Sequence, residues 1–166
     1  MTDPFDPLRI LRTLNAYEVD YVLIGGFAGN LYGSALITWD VDICYERSTE
    51  NMERLSEALV DLGAELRGVD EPVLFRLEAA TLAAGDLFTF TTRLGPLDIL
   101  GVPAGTEGFD DLRSAAVAMD LGDMDVWVAD LQDLIRMKRA AGRSQDLAAV
   151  EHLGALADVI DGIEEG

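Results

Sequence analysis

The residues from Tyr21 to Tyr45, YVLIGGFAGNLYGSALITWDVDICY, carry most of what the chain says about its architecture. Tyr21–Ile24 is a short apolar run that ends at Gly25-Gly26, a pattern typical of a buried strand followed by a sharp turn. Residues 27–32 then have the composition of a helix, and residues 40–45 alternate as a second strand does. The stretch therefore predicts a strand–helix–strand unit with two glycines at its first corner.

Three aspartates lie within or beside these apolar runs. Alternate side chains of an extended strand point to the same face, so Asp40 and Asp42 are predicted to project side by side. Asp98 lies inside a later apolar run, Leu97–Leu100, where a carboxylate is costly to bury unless it is paired or bound to a metal. Neighbouring carboxylates repel one another unless a cation lies between them, and hard oxygen ligands suit Mg²⁺ or Mn²⁺. The three aspartates are therefore candidate metal ligands.

The rest of the chain predicts further helices and a hairpin around this unit. Helices are predicted over residues 7–17, 50–62 and 109–116, with C-terminal helices over about 130–160. Strands are predicted over residues 86–92 and 97–101, as a hairpin, and over 124–128. This order predicts an α/β (α+β) fold with a mixed, mostly antiparallel sheet of about five strands flanked by helices.

Length and charge limit the classes of protein to consider. A chain of 166 residues, 49% of them hydrophobic, predicts one globular domain over residues 1–166. The net charge of −19 argues against general nucleic-acid binding, because so acidic a surface repels phosphate backbones. No apolar run approaches the roughly 20 residues of a membrane span, and residues 1–6 are acidic rather than basic. The chain is therefore expected in the cytoplasm.

The order of the motifs resembles that of the nucleotidyltransferase superfamily, the polymerase-beta-like enzymes. The shared pattern is an apolar strand, the Gly25-Gly26 turn, a helix, a strand with Asp40-x-Asp42, and a third carboxylate on a neighbouring strand, for which Asp98 has the expected context. The late segment LIRMKRAAGRSQDL, residues 134–147, is similar to the AbiEii-type branch. That branch contains toxins of bacterial toxin–antitoxin systems and many small proteins.

The resemblance implies an activity, a cofactor and partners. Such enzymes transfer a nucleoside monophosphate from an NTP to a hydroxyl group, with Mg²⁺ (or Mn²⁺) as cofactor. The acceptor implied here is an RNA end, a protein side chain or a small molecule. A cognate antitoxin or a second copy of the chain is the implied protein partner.

The resemblance also implies roles for individual residues. The implied catalytic residues and metal ligands are Asp40, Asp42 and Asp98. The implied nucleotide-binding residues are Gly25, Gly26, Ser34, Thr38, Lys138 and Arg143. Glycines suit this role because a backbone without side chains, at the start of a helix, can approach phosphate closely. For the two cations, a solvated helix end that complements the helix dipole is an equal alternative, and turn chemistry explains Ser34 and Thr38 nearly as well.

One position departs from the family pattern. Many relatives carry an arginine two residues before the threonine, where this chain has Leu36. Loss of that cation weakens the case for tight triphosphate binding unless another residue supplies the charge. The alternative interpretation is therefore a catalytically degenerate protein of the same fold that acts as a binding or regulatory partner, as an antitoxin does.

Overall fold

The predicted strand–helix–strand unit forms the centre of the structure. The structure, a computed structural model, describes residues 5–68, 77–142 and 144–165. Its helices are α1 (Pro7–Ala16), α2 (Gly25–Leu31), α3 (Thr49–Asp61), α4 (Ala79–Ala84), α5 (Phe109–Ala115), α6 (Leu131–Ala141) and α7 (Ser144–Glu165). Its strands are β1 (Tyr21–Ile24), β2 (Val41–Tyr45), β3 (Glu65–Leu66), β4 (Leu87–Thr92), β5 (Gly95–Leu100), β6 (Val117–Asp120) and β7 (Asp125–Val128).

The strands of the described residues join one sheet in the order β3-β4-β5-β2-β1-β7-β6. Strand β2 runs parallel to β5, and β1 runs parallel to β7, whereas the other neighbours are antiparallel. The predicted mixed, mostly antiparallel sheet flanked by helices is confirmed. The predicted count of about five strands was wrong, because the structure has 7. Strand β3 has 2 residues and β6 is largely exposed at the sheet edge, so neither has the apolar alternation by which a strand is recognised.

Helix α2 begins at Gly25 rather than at residue 27, so both glycines belong to its first turn. Gly25 has a φ of +77°, a conformation that side chains disfavour. Ile24, the residue before the helix, is extended and provides no side-chain hydrogen bond to the helix start. The backbone N–H groups of this turn are therefore not capped by a side chain at that position.

The central strands lie within the buried hydrophobic core. Every residue of β1 is buried, and α1 packs against the sheet through Ile10, Leu11 and Leu14. Asp130 caps the N-terminus of helix α6, because its carboxylate accepts a hydrogen bond from the Gln132 backbone N–H, 3.1 Å away. Helix α7 packs against α6, and its Leu153 is buried in the same core. None of the helices in the described residues combines the length and apolar character needed to cross a lipid bilayer.

Candidate active site

Three carboxylates converge where β2 lies between β1 and β5. Asp42 of β2 is paired in register with Asp98 of β5, so the two side chains lie on one face of the sheet. Asp40 lies in the bend immediately before β2. One carboxylate oxygen of each aspartate lies within 4.8 Å of the other two, and all three residues are partly buried. The cluster therefore depends both on the local Asp40-x-Asp42 motif and on the pairing of β2 with β5, which are distant in sequence.

Gly25 lies directly against the cluster. Asp42 is also paired with Ile24 of β1, which brings the start of α2 beside its carboxylate. A Cβ atom at Gly25 would lie 2.1 Å from Asp42 Oδ2 and 2.8 Å from its Cγ, which is inside van der Waals contact. The missing side chain and the positive φ therefore both require glycine at this position.

The electrostatics of the cluster favour a proton or a cation. Burial, assisted by the charges of Asp40 and Asp98, raises the pKa of Asp42 to about 8. Burial also raises the pKa of Asp98, although the guanidinium of Arg67 opposes that rise. Without a cation, one carboxyl of the cluster is therefore protonated at neutral pH.

The donor set fits a divalent metal. The described residues contribute three carboxylates and neither histidine nor cysteine to the cluster, which is the hard-oxygen chemistry that Mg²⁺ and Mn²⁺ prefer. A cation would replace the proton on Asp42 and offset the repulsion among the three groups. Asp40, Asp42 and Asp98 are accordingly the residues that could hold it.

The raised pKa predicts a pH dependence of stability. Asp42 keeps its proton in the folded protein up to about pH 8 but loses it near pH 4 when unfolded. The folded state therefore binds more protons between these values, so the free energy of unfolding should fall as pH rises through this window and then level off. The expected decline is up to about 5 kcal/mol, at about 1.4 kcal/mol per pKa unit.

Urea unfolding of metal-free protein from pH 4 to pH 9 measures this decline. The Asp42→Asn variant, which has no titrating group at this position, should show a shallower decline than the wild type, and Mn²⁺ should reduce the decline in the wild type. Parallel curves for the two proteins would show that Asp42 does not hold its proton in the folded state.

The cluster contributes to the lining of a cleft of about 490 Å³. The loop before β2 lines it with Leu36 and Ile37. Met137 of α6 and Leu153 of α7 also line it. Leu36 is 48% exposed and Ile37 is 80% exposed, although both are large apolar side chains. The cleft therefore presents apolar surface to solvent at these two positions.

The structure describes all but one of the implied nucleotide-binding residues. Gly25, Gly26, Ser34, Thr38 and Lys138 line the cleft, whereas Arg143 lies outside the described residues. The hydroxyls of Ser34 and Thr38 already have local partners. Ser34 Oγ accepts a hydrogen bond from the Leu36 N–H at 3.2 Å, and Thr38 Oγ1 donates to the Asp40 carbonyl at 3.2 Å. Lys138 projects from α6, where its charge lowers the pKa of Asp42.

Arg67 is a member of the site that sequence reasoning did not single out. It follows β3 and forms an ion pair with Asp98. Its backbone N–H donates to the Thr89 carbonyl at 2.9 Å, which extends the pairing of β3 with β4 by one residue. No local sequence pattern marks this arginine, because its place depends on how a 2-residue strand pairs with the hairpin.

Comparisons with known proteins bear on the fold. No protein-family model and no curated protein matches the sequence. The fold is similar to the lincosamide antibiotic adenylyltransferase LnuA, solved with lincomycin bound, with a TM-score of 0.61, 15% identity, and coverage of 90% of this chain and 94% of LnuA. It is also similar to a putative nucleotidyltransferase from Thermotoga maritima, with a TM-score of 0.54, 15% identity and coverage of 93% and 92%.

A third similar structure is the antibiotic-resistance factor ANT(2'')-Ia, with a TM-score of 0.55, 12% identity, and coverage of 95% of this chain and 90% of that one. The matches span nearly the whole length of each protein. At these identities they show the fold alone. The chain therefore has the nucleotidyltransferase fold, and its activity has to be argued from the cleft and its residues.

Proposed function

We propose that this protein is a metal-dependent nucleotidyltransferase that transfers a nucleoside monophosphate from an NTP to the hydroxyl group of an acceptor. The observation that carries the proposal is the convergence of Asp40, Asp42 and Asp98 beside Gly25, in the lining of an open cleft. Holding three partly buried carboxylates close together costs free energy when nothing else in the fold requires it. A cation bound together with the nucleotide would offset that cost and would explain why the three groups converge.

The proposed roles follow from position. Asp40, Asp42 and Asp98 would hold Mg²⁺, which when bound neutralises charge on the reacting phosphates. Asp98 would also accept the proton of the attacking hydroxyl, since its pairing with Arg67 favours the ionised carboxylate. The hydroxyl oxygen then forms a bond to the α-phosphorus, the bond from that phosphorus to the bridging oxygen breaks, and pyrophosphate leaves.

The glycines and Lys138 would bind the nucleotide. Gly25 and Gly26 bring the first turn of α2 to the cleft with no side chain in between, so backbone N–H groups can approach phosphate oxygens. Lys138 of α6 supplies a cation to the lining of the same cleft. It is the cationic residue among the described residues that line the cleft, and it would take over the role of the arginine that Leu36 replaces.

We further propose that the acceptor is a small molecule with apolar surface rather than RNA. The cleft rim presents Leu36 and Ile37, which offer an RNA phosphate nothing to bind, and the net charge of −19 repels a polyanion. Two of the similar structures support a small-molecule acceptor, because one is an adenylyltransferase of a lincosamide antibiotic and the other is an antibiotic-resistance factor. An RNA or protein acceptor, as the AbiEii-type resemblance implies for a toxin, is the competing proposal.

The test is a transfer assay that compares acceptor classes. Each of the four [α-³²P]NTPs is incubated with Mg²⁺, the protein, and either lincomycin, a short oligoribonucleotide or a protein mixture. We expect a labelled small-molecule product and the release of pyrophosphate, both lost when the metal is chelated with EDTA. Growth of cells that express the wild-type chain or Asp42→Asn tests the toxin role in parallel.

The outcomes separate the proposals. Label in RNA or protein would confirm the transferase and reject the small-molecule acceptor. If no acceptor is labelled and neither NTP nor Mn²⁺ binds, the enzymatic proposal fails. The degenerate binding protein favoured by Leu36 would then stand, and a stoichiometric basic partner that co-purifies with the chain would support it.

A further inference from the structure

Arg67 contributes a permanent positive charge to the acidic cluster. Its guanidinium contacts Asp98 Oδ1 directly. The contact is sheltered, because the side chain of Asp98 is 17% exposed and that of Arg67 is 34% exposed. A guanidinium does not lose its proton in proteins, so this charge is present at every pH at which the protein is folded.

The pairing of the strands places Arg67 on the same face of the sheet as the cluster. Leu66 pairs with Phe90, so the next residue, Arg67, lies opposite Thr89, and Thr89 pairs with Asp98. Asp98 pairs in turn with Asp42. Residues paired across neighbouring strands project to the same face, so one row crosses four strands from Arg67 to Asp42. Two strand spacings, about 10 Å, separate the backbones of Arg67 and Asp98, which a long and a short side chain together can bridge.

When all three carboxylates are ionised, the cluster and Arg67 together balance the charge of one divalent cation. Three ionised carboxylates carry a charge of −3, and pairing with Arg67 reduces it to −2. The arginine therefore offsets part of the charge that would attract a metal, and it holds an oxygen of one of the three candidate ligands. A unit charge in direct contact with a ligand group changes the affinity for a cation by about tenfold or more.

We propose that Arg67 is a resident cation of the site that competes with the divalent metal for Asp98 and thereby lowers the metal affinity of the nucleotide-free protein. The phosphates of a bound nucleotide would supply the negative charge that Arg67 removes, so metal and nucleotide are expected to bind together rather than separately. This inference rests on the proposed function, because it concerns the metal that the transfer reaction requires.

The test measures Mn²⁺ affinity by calorimetry and by electron paramagnetic resonance, without nucleotide and without turnover. We expect Arg67→Gln, which keeps a side chain of similar size but removes the charge, to bind Mn²⁺ about tenfold more tightly than the wild type, or better. Arg67→Lys, which keeps the charge, should stay close to the wild type. The matched control is Arg93→Gln, because Arg93 pairs with Asp61 instead of the cluster. Thermal melts establish that each variant is folded.

A second measurement covers the case in which Arg67→Gln does not fold. In Arg67→Ala, added guanidinium chloride at low millimolar concentration should weaken Mn²⁺ binding, because the free ion can occupy the place of the missing side chain. The same addition should leave the wild type and Arg93→Gln unchanged.

Each outcome decides between the proposals. Unchanged Mn²⁺ affinity in Arg67→Gln overturns the inference, and weaker binding would instead make Arg67 a residue that holds Asp98 in a ligating position. In both cases the proposed transferase survives, provided that Asp42→Asn abolishes Mn²⁺ binding. If the wild type and all Arg67 variants fail to bind Mn²⁺, with or without a non-hydrolysable NTP analogue, the metal-dependent function itself is rejected.

Discussion

Asp42→Asn should lower kcat/KM for nucleotidyl transfer by at least about a thousandfold, because it removes a partly buried ligand of the proposed metal. The substitution preserves the shape of the side chain but replaces one carboxylate oxygen with an NH2 group, so it removes the charge with little change in packing. Asp42 also lies between Gly25 and Asp98, and no other described carboxylate is placed to take over its position. Steady-state kinetics with varied NTP and varied Mg²⁺ would measure the loss.

A matched variant controls for the general effect of removing a negative charge. Asp125 is also an aspartate on a strand of the same sheet, but it is exposed on β7. Asp125→Asn should retain wild-type activity. The enzymatic proposal would be wrong if Asp42→Asn and Asp125→Asn had the same kcat/KM. Since Asn at position 42 no longer repels Asp40 and Asp98, Asp42→Asn should also be at least as stable as the wild type in urea at pH 8 without metal.

Gly25→Ala should destabilise the protein strongly and disrupt the carboxylate cluster. The new methyl group would lie 2.1 Å from Asp42 Oδ2, and the backbone would keep a φ that alanine disfavours. Either β1 and β2 separate locally or the Asp42 carboxylate rotates away from Asp98. We expect a loss of roughly 3 kcal/mol or more in the free energy of unfolding, together with loss of Mn²⁺ binding.

Gly63→Ala separates the two causes. Gly63 has a similar φ of +65°, but nothing lies within 4 Å of the position that its Cβ would occupy. This variant carries the backbone cost alone, which is about 1 kcal/mol. The difference between the two variants in urea unfolding therefore measures the steric conflict with Asp42. Equal losses would mean that Asp42 can move aside at no cost, which would contradict the close steric contact expected between a side chain at position 25 and Asp42.

Asp40, Asp42 and the turn at Gly25 could be predicted because they belong to one local stretch of the sequence. Asp40 and Asp42 are two residues apart, and the apolar run before Gly25 identifies the strand that they lie beside. The mixed sheet followed from helices and strands with strong periodicity and clear end signals, such as Asp130 before α6. Asp98 was recognised because a carboxylate within an apolar strand is unusual, and the motif order of a known superfamily gave it a place.

The remaining features depend on pairing between distant segments. Arg67 reaches Asp98 only because β3 pairs with β4 in one particular register, and a 2-residue strand leaves no periodic signal. Strand β6 was missed because three of its four residues are exposed at the sheet edge. The position of Leu153 in the lining of the cleft likewise depends on the packing of α7 against α6, which periodicity within α7 does not specify.

The register of β2 beside β5 has a consequence for folding. Asp42 and Asp98 become neighbours only when two strands that are distant in sequence align in parallel, and such contacts form slowly because a long loop must close first. A chain that has folded up to β2 therefore has two of the three carboxylates and no complete cluster. Uptake of Mn²⁺ during refolding would then report the closing of the middle of the sheet, later than the appearance of helical circular dichroism.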